Sequence, residues 1–426
     1  MYDTTLDNFK NLKNPIDLIV VGLGFMGFGF ISGVRSVPNV RIPLLISRRP
    51  KESAKYLQRN GIPAVVENDI EKIKQNSKNG KISVSSDLNL ISEIPADAVF
   101  EVTGTVGYGT EAAVKAIKAK KHLITMNPEL QATVGTELKI LADQYKVVIT
   151  DVVGDQPGSL TRLISQAKLM GFEVLLAGNM KRYLDLYATQ EKMKPWADDK
   201  GLAVRQTTSF TDGTKQAIEM TLVGNYYGMD IIQSGMKGPS VETVQEVLRH
   251  FNWKSLPKKG IVDYVIGKSL FPGIFIVVKH KDPNQKKYLR YLGLGEGPFY
   301  VLFEPYHLCH LEVTQTLAKV LFSNKETINN SDNPGLLTIS VAKRDIKKGE
   351  VLDGIGGDMV YGAIETIERS KGLLSVGLSF DCVVKKSIKK DEQIKLSSVE
   401  LPYNMATRLA FPSKQKPFIT KEFLIS

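Results

Sequence analysis

Six residues, Gly22-Leu23-Gly24-Phe25-Met26-Gly27, carry the spacing G-x-G-x-x-G, and Gly29 follows them. That spacing suits a dinucleotide. Gly22 permits a tight turn, Gly24 lets the backbone approach a pyrophosphate, and Gly27 lets a helix pack closely on a strand. The helix start, with Phe25 and Met26 in its first turn, offers N–H donors and a favourable dipole to phosphate oxygens. An NAD site places an acidic residue about twenty residues further on, against the ribose 2′-hydroxyl. This chain has Ser47-Arg48-Arg49 there instead. A hydroxyl and two guanidiniums suit a 2′-phosphate, so the expected cofactor is NADP(H); a solvated basic loop is the alternative. Thr103-Gly104-Thr105 and Asn127, in Asn127-Pro128-Glu129, fall at later strand ends where the nicotinamide half would lie, with plain turn chemistry as the competing reading.

A second set of polar clusters lies beyond residue 151: Asp155-Gln156-Pro157-Gly158, Gly178-Asn179-Met180-Lys181, Asp212-Gly213-Thr214-Lys215 with Glu219, and the run from Pro305 to Glu312. Reducing a carbonyl requires a proton donor for the developing alkoxide. Lys181, Lys215 and His307 are the candidate acids. Lys215 and Glu219, four residues apart, also fit a solvated helix pair. Asp155 and Glu219 would orient the substrate, or, with Asp212, offer oxygen ligands to a divalent metal, Mg²⁺ or Mn²⁺. His307, His310 and Glu312 lack a strong zinc spacing, and structural histidines explain them equally well.

The elements that must position these residues are legible as pattern. From Ile16 to about Asp151, the apolar runs IDLIVVG, RIPLLIS, PADAVFEVTG, KHLITMN and KVVITDVVG alternate with helical segments. Such alternation implies βαβ units and a parallel sheet covered on both faces. The expected fold class is therefore α/β: a Rossmann domain over 1–151, an α+β catalytic domain over 152–335, a small β-rich domain over 336–401 and a tail over 402–426. Pro43 is awkward inside the second strand. In the middle region GIFIVVKH and KYLRYLGLG, separated by KDPNQK, read as an antiparallel hairpin. SLTRLISQAKLMG and VETVQEVLRHF read as helices, as does Leu311–Phe322, which leads into the polar SNKETINNSDNPG, read as a linker. The small C-terminal unit repeats (R/K)-x-I-K-K-(G/D)-E at Arg344–Glu350 and Lys386–Glu392, an internal pseudo-repeat.

Composition narrows the functional classes. The chain has 426 residues, 42% of them hydrophobic and 24% charged, as in an ordinary globular protein. Two cysteines, Cys309 and Cys382, are too few for a disulfide scaffold or a cysteine-rich zinc module. The net charge of +11 admits nucleic acid, an anionic membrane or small anionic ligands. No nucleic-acid-binding module is visible, which leaves no nucleic-acid partner in the reading. Ile16–Val34 imitates a membrane span, but its five glycines make a poor helix interior, so no membrane partner is expected. The N-terminus lacks the basic and apolar regions of a signal peptide, and a cytoplasmic location is expected.

The order of motifs is similar to that of a known group. VGLGFMG, EVTGTVGYG and ITMNPE, then GDQPG, AGNMK, SFTDGTK and EPYHLCHLE, then AKRDIKKGEVLDGIGG, together resemble the 1-deoxy-D-xylulose 5-phosphate reductoisomerase-like, homoserine-dehydrogenase-like oxidoreductases that end in a SAF (β-clip) domain. The resemblance implies NADPH, a homodimer and a small, phosphorylated or otherwise anionic carbonyl substrate. In the reductoisomerase-like branch it implies a skeletal rearrangement with a divalent metal holding the hydroxyketone oxygens. Thr125-Met126-Asn127-Pro128 lacks the lysine that homoserine dehydrogenases carry at this place. Alternatives are reduction of an amino-acid semialdehyde or a polysaccharide-precursor carbonyl and, from another class, a non-catalytic NADPH-sensing protein that binds carbohydrate.

Overall fold

The computed structural model describes residues 2–411. The first half of the chain supplies β1 (Ile16–Val21), β2 (Val40–Arg41), β3 (Leu44–Ile46), β4 (Ala64–Val66), β5 (Ile82–Ser85), β6 (Ala98–Glu101), β7 (His122–Thr125) and β8 (Ile149–Asp151). They form one eight-stranded sheet in the order β4-β5-β3-β1-β6-β7-β8, with β2 beside the start of β1, and every pairing in it is parallel. This is a Rossmann-type sheet, with its strand order reversing at β1. Ile19, Val20 and Val21 are wholly buried, as expected of a strand covered by helices on both faces. Ile42 and Pro43 interrupt the second run between β2 and β3: a proline cannot donate to the ladder. The apolar stretch that imitates a membrane span divides into β1 and the helix Phe25–Val34. Among the described residues no helix is long and apolar enough to cross a membrane.

The middle of the chain builds a second sheet from β9 (Phe172–Lys181), β10 (Ile261–Ile266), β11 (Ile274–His280) and β12 (Phe299–Glu304), in the order β10-β9-β11-β12. Helices Gln156–Leu169 and Thr214–Tyr227 cover one face through Leu160, Ile164, Met220 and Val223. Two expectations need correction here. The strand GIFIVVKH does enter an antiparallel pair, but with Phe299–Glu304. The expected partner, residues 287–295, instead begins within a short helix, Lys286–Tyr291, of which Leu289 alone is buried while its neighbours face solvent. VETVQEVLRHF forms only a 3-10 turn, Val244–Arg249.

The polar run after residue 323 is not a free linker. Thr327, Ile328, Asn329 and Asn330 are buried. The Asp151 amide donates to the Ile328 carbonyl at 2.7 Å, and the Asn225 side-chain amide donates to Asn330 at 2.9 Å. Its polar side chains satisfy buried partners rather than water. The helix Val313–Ser323 before it packs back on the first half, where Val313, Leu317 and Val320 join Phe30 and Val20.

The C-terminal unit contains the antiparallel pair β13 (Leu336–Ala342) and β14 (Val360–Thr366), and the short pair β15 (Val383–Val384) and β16 (Val399–Glu400). Its two basic turns are related by an approximate twofold. Ile346 and Ile388 exchange backbone hydrogen bonds at 2.8 and 2.9 Å. Glu350 accepts from the Lys347 amide and Glu392 from the equivalent Lys389 amide. Asp345 accepts from the Lys390 amide and Ser387 from the Lys348 amide. Ala342, Ile346, Leu374 and Ile394 of this unit share a core cluster with helices of the first half. The tail expected after Pro402 begins as a helix, Met405–Ala410, packed on helices Val106–Lys118 and Pro128–Tyr145. Of that tail, residues 412–426 lie outside the described residues.

Candidate active site

The glycine turn sits at the carboxyl end of β1, against the end of β6. Gly22 has φ of 109°, a conformation that L side chains rarely adopt. A Cβ on Gly27 would lie 2.5 Å from the Gly22 carbonyl oxygen, so helix and turn can meet this closely only at glycine. Gly24 differs: nothing lies within 4 Å of where its Cβ would be. The open side of this turn, at a helix N-terminus, fits a pyrophosphate. Phe25 is exposed at the helix start, with Met26 partly buried. Ser47 follows β3, its Oγ 2.7 Å from that of Ser53, and Arg48 and Arg49 are exposed. Arg49 makes a 3.1 Å ion pair with Glu52 in which both side chains stay largely in solvent, so it is held weakly and free to turn to an anion. The guanidinium of Arg48 stands 6.0 Å from the Tyr108 ring centre.

The end of β6 forms a buried polar node. Glu101 is wholly buried and accepts hydrogen bonds from the Thr103 hydroxyl, from the Thr103 amide at 2.9 Å and from the Asn127 side chain at 3.0 Å. Burial pushes its carboxyl up to about 7, against those hydrogen bonds. Asn127 also donates to the Thr105 carbonyl at 3.1 Å, which ties the two strand-end loops together. Gly104 and Thr105 are exposed at the rim.

Asn127 caps the helix that begins at Pro128, which places Glu129 in its first turn. Glu129 faces the second half of the chain, where Lys215 Nζ lies 3.2 Å from Glu129 Oε1 and 3.9 Å from Asp155 Oδ2. All three side chains are largely buried. Lys215 starts the helix Thr214–Tyr227, and Glu219, one turn on, is 3% exposed, so these two are not a solvated surface pair. Burial works against the Lys215 ammonium, but Glu129, Asp155, Glu219 and Asp151 outweigh it and raise its pKa. Burial raises Glu219 to about 7, with Asp155 adding to the effect. Asp151 is pushed well up by burial and by Asp155. Asn179 on β9 donates to Gln156 at 2.8 Å and to Glu219 at 3.1 Å. Lys181 ends the same strand and makes no ion pair among the described residues. Burial lowers its pKa, partly offset by Glu219. Asp155 Oδ2, Asp151 Oδ2 and Asn179 Oδ1 are buried without a hydrogen-bond partner among the described residues, acceptors of the kind a bound molecule satisfies.

His307 stands at the border of this cluster. Its Nδ1 hydrogen-bonds the Gly154 carbonyl at 2.5 Å and lies 3.6 Å from Cys309 Sγ. Burial pulls its pKa down, but Cys309, the Gly154 carbonyl and Asp155 leave it raised. The neighbouring Cys309–Leu311 turn packs on the helix of the glycine motif, and Glu312 pairs with Arg162.

Of the oxygen ligands proposed for Mg²⁺ or Mn²⁺, Asp155 and Glu219 share the cluster, but Asp212 does not join them. Asp212 turns to Lys343 at 2.8 Å, and the ammonium of Lys215 stands between carboxylates where a divalent cation would sit. Among the described residues no three His, Cys, Asp or Glu side chains form a metal-holding group. The residues present do not fit the metal.

Sequence reasoning passed over Glu101, Asp151 and Lys343, and named Glu129 only as part of a strand-end turn. For the first two a signal existed: each is the lone acid inside an otherwise apolar strand, AVFEV and KVVITDVV. A charge in a strand covered on both faces is buried and needs a reason. Lys343 carries no local signal, since its partner lies far away in sequence.

Residues 154–313 match the family described as Oxidoreductase DRL, catalytic domain. The homoserine dehydrogenase of Lactococcus lactis subsp. lactis (strain IL1403) is 24% identical over 242 residues, 54% of this chain and 55% of that protein. The homoserine dehydrogenase of Neisseria gonorrhoeae (strain ATCC 700825 / FA 1090) is 29% identical over 135 residues, 32% of this chain and 28% of that one. The chain thus spans about half the length of the first of these relatives and less of the second. Among solved structures, a probable dehydrogenase from Thermotoga maritima aligns over 73% of this chain and 90% of its own, with 13% identity and a TM-score of 0.42.

Proposed function

We propose that the chain is an NADP(H)-dependent oxidoreductase that reduces a small polar carbonyl compound at the cluster around Lys215. The observation that carries this reading is the position of that cluster. Glu129, in the first turn of the helix that Asn127 caps beside Glu101, meets Lys215 and Asp155 of the second half. The carboxyl edge of a Rossmann-type sheet is where a cofactor meets substrate, and there the chain concentrates groups with shifted pKa values. Gly22, Gly24 and Gly27 would hold the pyrophosphate, Ser47, Arg48 and Arg49 the 2′-phosphate, and Thr103 and Asn127 the nicotinamide half. Bound NADPH supplies a hydride to the carbonyl carbon. The chain's own residues manage the oxygen. Lys181, whose pKa burial lowers, is suited to release a proton to that oxygen. Lys215, kept charged by its carboxylates, is suited to donate a hydrogen bond to it throughout. Glu219, near 7, exchanges protons readily at neutral pH, with Asn179 fixing its orientation.

The family match over the second half and the partial likeness to homoserine dehydrogenases support the oxidoreductase class. A cytoplasmic homodimer with a SAF-like C-terminal module belongs to the same reading. The rearrangement implied by the reductoisomerase resemblance calls for a metal that these residues do not fit, so the reading keeps the reduction alone. The test is NADPH oxidation by the full chain with a panel of hydroxyaldehydes and hydroxyketones, each with and without a phosphate group, before and after EDTA. Turnover that survives EDTA is expected, and the phosphate comparison decides whether the substrate is anionic. Tight NADPH binding with no turnover on any member of the panel would support the NADPH-sensing binding protein instead.

A further inference from the structure

The helix Thr214–Tyr227 has a second side. Lys215 and Glu219 point into the cluster described above, whereas Gln216 and Ala217 line a cavity of about 330 Å³ between the middle sheet and the C-terminal unit. That is near the lower end of ligand pockets, about 300–1,000 Å³. Gln216 is 1% exposed, and its side-chain carbonyl oxygen has no hydrogen-bond partner among the described residues. A buried amide oxygen left unpaired costs about 1–3 kcal/mol, and this one belongs to a residue of the cavity wall.

The lining defines the chemistry of a ligand there. Tyr264 and Tyr361 present phenols, Ser234 a hydroxyl, Gln393 a second amide and Asp391 a carboxylate. Burial pushes both phenols up to about 12, so they stay protonated and can donate as well as accept. No lysine or arginine is among the described lining residues, and Asp391 supplies the one carboxyl group there. One Asp391 oxygen already accepts from the Tyr187 phenol at 2.8 Å, and the Lys390 ammonium sits 3.8 Å from the Tyr187 ring centre, which partly balances the charge. An anion in the cavity would meet the Asp391 carboxylate with no lysine or arginine among the described lining residues to receive it. Two tyrosine rings with amides and hydroxyls around them match a ring that bears many hydroxyls and has apolar C–H faces.

We propose that this cavity is a second small-molecule site, separate from the cluster around Lys215, and that it takes an uncharged polyhydroxylated ligand of monosaccharide or cyclitol size. The site does not depend on the proposed reaction.

Isothermal titration and thermal shift on the full chain, with glucose, galactose and myo-inositol as probes against the corresponding sugar phosphates, test it. At least one neutral probe is expected to bind with a stoichiometry near one, and the phosphates are expected to bind more weakly. Ser234→Trp, which fills the exposed mouth, and Tyr361→Ala, which removes one ring, are each expected to weaken that binding tenfold or more while the far-UV spectrum is unchanged. Lys215→Met is expected to leave it intact. Absence of binding by every neutral probe overturns the proposal. So does binding that Lys215→Met abolishes and the two cavity variants spare, because the sugar is then a ligand of the active site. Should one cavity variant fail to fold, the other decides.

Discussion

The two halves of the candidate site are made of different material. The glycine crevice is mostly backbone: a turn with one left-handed residue, a helix start, and arginines standing in water beyond β3. The charged cluster is all side chain. It draws Glu129, Asp155, Lys181 and the helix pair Lys215 and Glu219 from four segments and buries most of their surface. In the crevice, geometry is local and charge is screened by solvent. In the cluster each charge is held by the others, so removing one leaves its partners buried and unpaired. The two regions should therefore respond differently to substitution.

Lys215→Met is the strongest way to break this contrast. It leaves Glu129 and Asp155 facing each other without their cation. Loss of a positioned donor at the reacting oxygen costs about 10²–10⁴-fold in rate, and kcat/KM is expected to fall within that range. NADPH affinity, measured by fluorescence titration, is expected to stay unchanged because the crevice is built without Lys215. A parallel collapse of NADPH binding would show that the two regions are one unit.

Lys343→Met extends the contrast to stability. Lys343 pairs with Asp212 at 2.8 Å, with both side chains almost fully buried, and donates to the Ala188 and Gly357 carbonyls at 2.8 and 2.7 Å. Burial raises the Asp212 carboxyl even with this ammonium beside it. Breaking such a pair from one side costs about 3–5 kcal/mol, to be read from urea unfolding. The double variant with Asp212→Asn is expected to recover part of the loss. A loss below about 1 kcal/mol would mean that the pair behaves like a surface contact.

The same contrast explains what is legible in the amino-acid sequence. The Rossmann-type sheet and its glycine turn were legible because each needs only short-range pattern: apolar runs, helical spacing and glycines at fixed offsets. Pro43 correctly warned of the break between β2 and β3. Lys215 and Asp155 were recognisable as polar residues in unusual places, but not as neighbours, since 60 residues of chain folding bring them together. The polar run at 323–335 looked like a linker because asparagine and threonine favour turns. The structure uses their hydrogen-bonding groups to satisfy buried strand ends instead. The Lys286–Tyr291 segment shows the opposite error: the turn-rich residues before it suggested the second strand of a hairpin, yet it is a helix that buries Leu289 alone.

Arg48→Ala with Arg49→Ala probes the solvent-facing half. A charge-assisted hydrogen bond contributes about 1.5–3 kcal/mol, so NADPH affinity should weaken about tenfold to a hundredfold while NADH affinity holds. The loss should shrink as salt is added, because both guanidiniums are exposed. Equal weakening of both cofactors would remove the 2′-phosphate assignment and leave a solvated loop.

The finest test returns to the buried half. Glu219 raises the pKa of Lys181, while burial lowers it. Lys181 donates its proton in the proposed reduction, so the rate must fall as pH rises through its pKa. Glu219→Gln removes the negative charge that supports the ammonium, while its amide can still meet Asn179. The pKa of Lys181 then drops, and the alkaline limb of kcat/KM should move to lower pH. The direction is fixed even though the displacement is small: losing an anion can only make a neighbouring ammonium easier to deprotonate. Exposed arginines offer no such lever, because water screens their neighbours, and Arg48→Ala should leave the limb in place. A limb that moves upward, or moves equally in both variants, would mean that the proton comes from a group other than Lys181.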